Sequence, residues 1–162
     1  MSRDEVRMNI KPSDLRALLN TFNKMGKAAN KDLRDASYAI ARDVASELKA
    51  SASGANSIGG NAFQAQAVAR GIAPRKDRLA LIRVSGKRQV ASGGASVEDL
   101  LWGAEFGSNR FKQFPSKSPK QSKGNRGYFI FPTLKRLQPK IRKDWVNAVG
   151  KVADLWRAAN RG

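Results

Sequence analysis

The sequence predicts an α+β fold: a small β-sheet packed with a long N-terminal amphipathic helix and a C-terminal amphipathic helix, joined by long basic loops. Three observations carry this expectation. Apolar residues recur every three or four positions along residues 30–50, and again in the last thirty or so residues. Two short runs, residues 78–84 and 128–131, are dense in branched and aromatic side chains, as strands are. The chain of 162 residues is 41% apolar, which suits one domain with a modest core.

The elements follow in order. Residues 1–12 read as a flexible arm. Pro12, Ser13 and Asp14 open a short helix whose apolar positions are Leu15, Leu18, Leu19 and Phe22, with Gly26 as its stop. Leu33, Ala36, Ile40, Val44 and Leu48 then form one stripe, with Arg34, Asp35, Arg42, Asp43 and Lys49 away from it. Residues 51–61 are rich in Ser and Gly and read as a loop. An Ala-rich helix is expected over 62–70, ending at Gly71, with Pro74 closing the segment. Residues 78–84 are the best strand candidate, and a second strand near Gln89 and Val90 is weakly signalled. Ser96 and Asp99 have capping-box spacing, so a short helix is expected to run through Leu100, Leu101 and Trp102 and to stop at Gly103. Residues 128–131 read as a strand ended by Pro132 and Thr133. The last helix then runs to about residue 159, with a break expected at Pro139. Its apolar stripe is Ile141, Trp145, Val149, Val152 and Trp156, opposite Lys140, Lys143, Asn147 and Lys151.

Charge is the dominant compositional fact. The chain has 31 basic and 13 acidic side chains, a net charge of +18. Residues 109–162 alone carry 14 basic and 2 acidic ones. A field of that sign concentrates near nucleic acid or another acidic partner. The least regular segment, 108–127, holds six Lys or Arg with two Pro and two Gly, and reads as a long exposed loop. Its basic residues Arg110, Lys112, Lys117, Lys120, Lys123 and Arg126, with Lys87 and Arg88 of an earlier loop, are the candidate interface or DNA-channel residues. Ser116 to Lys120 resembles the Ser-Pro-Lys runs of basic DNA-binding tails, and Phe111 and Phe114 are placed to stack on bases. No helix-turn-helix, zinc-finger or RNA-recognition signature accompanies them, so such binding would be non-specific.

Several function classes are excluded or disfavoured. There is no Cys and no His. Disulfides, a thiol nucleophile, the commonest general base and the usual zinc ligands are therefore all missing. Gly86-Lys87 is followed by Arg88, and Leu81 stands where a phosphate-binding loop needs its first Gly. Glu98, Asp99 and Glu105 assemble no nucleophile–base–orienter set. The expectation is no enzyme, no cofactor, no metal and no membrane span. A buried Glu105 would be expected to pair with an Arg of its own or a neighbouring subunit.

Leu100-Leu101-Trp102-Gly103-Ala104-Glu105-Phe106-Gly107-Ser108, followed by Gly127-Tyr128-Phe129-Ile130-Phe131-Pro132-Thr133-Leu134, resembles the tail-completion, or head–tail joining, proteins of siphophages, above all those of actinobacteriophages. That family shows an Ala-x-Glu-aromatic-Gly-Ser/Thr segment and an aromatic-Pro segment opening a C-terminal helix. The resemblance covers most of residues 13–160, taken as a single domain, and is specific only in its two blocks. It implies a non-enzymatic virion component, made in the host cytoplasm and placed in the neck. There it would form a homo-oligomeric ring, a hexamer by family habit, around the DNA channel. The implied partners are the head-completion or stopper protein, the tail terminator or tail-tube protein, and the end of the genome DNA. Trp102, Gly103, Phe106, Gly107, Tyr128, Phe131 and Pro132 would then be structural, with Glu105 an ion-pair anchor. A non-specific DNA-binding accessory protein is the alternative reading; a tail terminator is the alternative within the structural class.

Overall fold

The structure, a computed structural model, describes residues 20, 24, 26–54, 62–87, 89, 90, 93–108, 110, 111, 114 and 128–159. It is a mixed fold of long helices and one small antiparallel sheet. Helix α1 spans Lys27–Gly54 and α2 spans Ala62–Ala69; strands β1, Ile72–Arg75, and β2, Leu81–Val84, follow; α3 spans Val97–Phe106 and α4 spans Ile130–Ala159.

Helix α1 runs 28 residues and buries Leu33, Ile40, Val44 and Leu48 of the expected stripe, together with Ser37, Ala41, Ala45 and Ala52. Helix α4 packs along α1 more extensively than any other element does. Arg136 of α4 bonds Glu47 of α1 at 2.8 Å across the outside of that contact. Leu48, Ala67, Val68, Ile72, Leu100, Phe129 and Leu137 belong to one core, which joins α2, β1 and α3 to both long helices. Leu33 and Val152 form a second, smaller cluster at the far end of the helix pair.

The sheet is a two-stranded ribbon in which Ile72 faces Val84 and Pro74 faces Ile82. Strand β1 is a correction to the expectation that Pro74 closes the preceding helical segment. A two-stranded ribbon exposes an unpaired edge on each strand, and Pro is tolerated there. The second strand expected near Gln89 is a single bridge from Gln89 to Ser96.

The capping box is present. Ser96 Oγ accepts from Asp99 N–H at 3.3 Å, and Asp99 accepts from Ser96 N–H at 2.9 Å. Bonds to Ser96 hold the Asp99 carboxyl below the usual carboxylate range. Ser96→Ala is expected to cost about 1 kcal/mol of stability in urea melts. A midpoint equal to wild type would show that this cap contributes nothing.

Three further expectations need correction. Helix α3 does not stop at Gly103; it continues to Phe106. Residues 128–131 are not a strand: Tyr128 and Phe129 form a bend, and Ile130 and Phe131 already belong to α4. Pro139 does not break α4, which runs 30 residues through it. Pro139 and Lys135, whose carbonyl loses an N–H partner, are both exposed, so water can satisfy that carbonyl. Of the short helix expected before Gly26, Asn20 is helical and residues 13–19 lie outside the described ones.

Candidate functional site

The two sequence blocks singled out above meet at one buried carboxylate. Glu105 lies on the inner face of the last turn of α3 and is fully buried. Its Oε2 accepts from Phe129 N–H at 3.1 Å and from Ile130 N–H at 2.9 Å, and its Oε1 accepts from Phe131 N–H at 2.9 Å. A helix leaves its first four N–H groups without intrahelical partners. In α4 those belong to Phe129, Ile130, Phe131 and residue 132, which is Pro and has no N–H. Glu105 and Pro132 therefore account for the whole helix start. Neither Tyr128 nor Phe129, just ahead of α4, has a side chain that accepts hydrogen bonds well enough to cap it. The cap comes instead from 24 residues upstream, and the Glu105 carbonyl adds a 2.7 Å bond from Tyr128 N–H.

This corrects the expected role of Glu105. Its partners are backbone amides and the positive end of a helix, not an Arg. Burial pushes its carboxyl above the usual carboxylate range, and the three N–H donors pull the other way.

The flanking residues divide by role. Gly103 faces Phe114, and a Cβ there would stand 2.5 Å from the ring. Phe114 is thus buried against the α3 backbone, and the expectation that it stacks on bases is not met. Gly107 leaves α3 with φ 73° and ψ 175°, a conformation almost restricted to glycine. Its N–H still bonds the Gly103 carbonyl at 2.8 Å, closing the helix.

Above this buried layer lies an aromatic surface. Trp102 stacks on Phe106, with centroids 5.8 Å apart and planes 12° apart, and Phe106 meets Phe131 at 5.3 Å. Trp102 is 63% exposed and Phe131 43%, so neither has the structural role inside the fold that the sequence suggests. Tyr128 is half-buried against the core, and Pro132 is exposed. Nearby in sequence, the Arg110 guanidinium sits 5.4 Å from the centre of the exposed Phe111 ring, which meets Phe114 edge-on.

Of the basic candidates, Lys87 and Arg110 are exposed. Arg88, Lys112, Lys117, Lys120, Lys123 and Arg126 lie outside the described residues. Among the described residues no group of three or more acidic side chains is placed to hold a metal ion, and no helix is long and apolar enough to cross a membrane.

Glu105 stands out in the sequence because it lies between apolar residues. The missing signal was the last helix, which begins without a capping residue of its own. A long helix lacking a local cap, paired with an acid isolated among apolar residues, is the pattern that would have joined them. Comparison with known protein families, with curated proteins and with solved structures finds no match to this chain.

Proposed function

We propose that this chain is a structural protein of a phage neck, joining the DNA-filled head to the tail as a homo-oligomeric ring around the DNA channel. The observation that carries the reading is the convergence at Glu105. The two blocks that resemble the tail-completion family are far apart in sequence, yet they form one interlocked unit: the segment Gly103-Ala104-Glu105-Phe106-Gly107 caps the helix that the aromatic-Pro segment opens. The two segments are thus parts of one structural device, which is the reason for them to occur together.

The surface of that unit suits assembly. Trp102, Phe106 and Phe131 present a contiguous aromatic patch on the outside of a rigid helix junction. Exposed aromatics on a fixed scaffold are the usual anchors of protein interfaces. A closed ring needs two different complementary patches per subunit. The aromatic patch is one, and the basic segment 108–127 that leaves and returns beside it belongs to the other. In this reading α1 and α4 serve as amphipathic covers of the core. The stopper protein on the head side and the terminator or tube on the other are the ring's axial partners.

The test is electron microscopy of lysates from a phage whose copy of this gene carries an early stop codon. Filled heads beside separate tails of normal length are the expected result. Tails of irregular length would move the protein to the tail-terminator role. Normal yields of intact particles would overturn the structural reading in favour of a DNA-binding accessory.

A further inference from the structure

Away from the Glu105 junction, the first turns of α1 and the connection between β1 and β2 enclose a groove of about 440 Å³. It is lined by Lys27, Asn30, Lys31, Arg34, Lys76 and Arg78. Five of these six side chains are cations, and none is acidic, apolar or aromatic. Lys27, Lys31 and Arg34 share one face of α1, because positions three and four apart are neighbours on a helix. Two ties hold the walls together. Asp35 bonds Lys31 at 3.0 Å and also Lys76, bridging helix and hairpin. The buried Ser37 hydroxyl donates to the Arg78 carbonyl at 2.9 Å.

The arrangement is electrostatically uncomfortable. Helix starts favour acidic residues, yet the first turn of α1 holds none and begins with Lys27. Asp35 answers part of this excess, and its two lysine partners hold its carboxyl below the usual range. Asp35 raises the Lys31 pKa, Asp32 does so as well, and Asp77 Oδ1 accepts from the Arg78 N–H at 2.7 Å. Lys27 and Arg34 have no ion-pair partner among the described residues.

We propose that this groove binds the phosphodiester backbone of duplex DNA. Arg guanidinium forks and Lys ammoniums match phosphate oxygens. Lys27 to Arg34 spans about 10 Å along the helix, roughly the axial rise of three base pairs. Among the described residues no aromatic side chain lines the groove, which suits sequence-indifferent contact with the backbone of a duplex rather than stacking on bases. No described apolar side chain lines it either, so these walls offer an acidic peptide charge but no anchor. The site is distinct from segment 108–127 and stands whether or not the neck assignment holds.

The experiment is duplex binding by the full chain, read by fluorescence anisotropy over a salt series, with two short duplexes of unrelated sequence. The double variant Lys27→Gln/Arg34→Gln removes two exposed cations that make no ion pair among the described residues. It is expected to weaken both duplexes equally and to flatten the salt slope by about 1.8, or about 0.9 for each phosphate no longer neutralised. The quadruple variant of Lys112, Lys117, Lys120 and Lys123 to Gln is expected to leave that further loss intact when the two sets are combined. An unchanged slope in the double variant overturns the proposal. Displacement of DNA by polyglutamate at equal charge concentration also overturns it, and assigns the groove to an acidic protein. Neither readout depends on particle assembly, so failure here and failure of the neck reading are separable.

Discussion

Glu105→Ala is expected to destabilise the fold by at least about 2 kcal/mol, because it strands the buried N–H groups of Phe129 and Ile130, each costing about 1–3 kcal/mol when unpaired, as well as the half-buried one of Phe131. With a urea dependence of about 2 kcal/mol per molar, the midpoint falls by at least about 1 M. Helical signal is expected to drop as well, since the first turn of α4 loses its cap. A loss under about 1 kcal/mol would mean that these amides have other partners. Glu105→Gln keeps one accepting oxygen but turns an NH2 group toward donors, so its cost falls between wild type and Ala. The pair also gives a pH test. Glu105 has its carboxyl raised by burial, so the folded chain holds that proton to higher pH than the unfolded chain does. Its contribution is full below the ordinary carboxylate pKa and declines as pH rises through the raised one. The stability gap between wild type and Glu105→Gln therefore narrows over that window. A gap that widens instead would show that the N–H donors outweigh burial.

Gly103→Ala is expected to invert the usual ranking of helix residues. Alanine in a helix is ordinarily better than glycine by about 1 kcal/mol. Here its Cβ would meet three ring carbons of Phe114 at 2.5–2.6 Å, so the ring must leave its seat. Overpacking of this kind costs about 1–3 kcal/mol. The decisive comparison is made in a Phe114→Ala background, where the obstacle is gone. There Gly103→Ala is expected to stabilise. The sign change between backgrounds measures the coupling directly. A stabilising effect in the wild-type background would show that Phe114 does not pack on α3.

Local grammar made α1, the end of β2 at Val84 and the Ser96 cap legible, while residues 78–80 of the expected strand lie in the connection before Leu81. Leu33 to Leu48 repeats at helical spacing because these residues share the buried face of α1, and Ser96 and Asp99 cap each other across three residues. What escaped reading depends on partners distant along the chain. Four apolar residues, Tyr128 to Phe131, suit a strand equally well. They open a helix because an acid 24 residues earlier accepts its amides. Gly103 reads as a stop from its propensity, yet it sits within α3 because Phe114 needs the space. Pro74 reads as a terminator, yet it sits in a strand whose outer edge pairs with nothing among the described residues. Trp102 looks like core by composition and stands outside, since the inner face of its helix is taken by Leu100, Ala104 and Glu105. For the same reason the cationic groove was invisible: Lys27, Lys31 and Arg34 are scattered among acids in sequence, and only the hairpin brings Lys76 and Arg78 opposite them.

The 2.7 Å bond from Tyr128 N–H to the Glu105 carbonyl pins the two ends of segment 106–127 to one point. Chain closure of that kind depends only weakly on contour length, about 0.6 kcal/mol for each doubling. The fold on either side is therefore nearly indifferent to how much chain is inserted between Phe114, which is seated in the core, and Tyr128. A short Gly/Ser insertion between Phe114 and Tyr128 is accordingly expected to leave the urea midpoint within about 0.3 M of wild type. Glu105 thus acts as a fixed socket, with Phe114 as its plug, and chain length beyond Phe114 is a free variable of the fold.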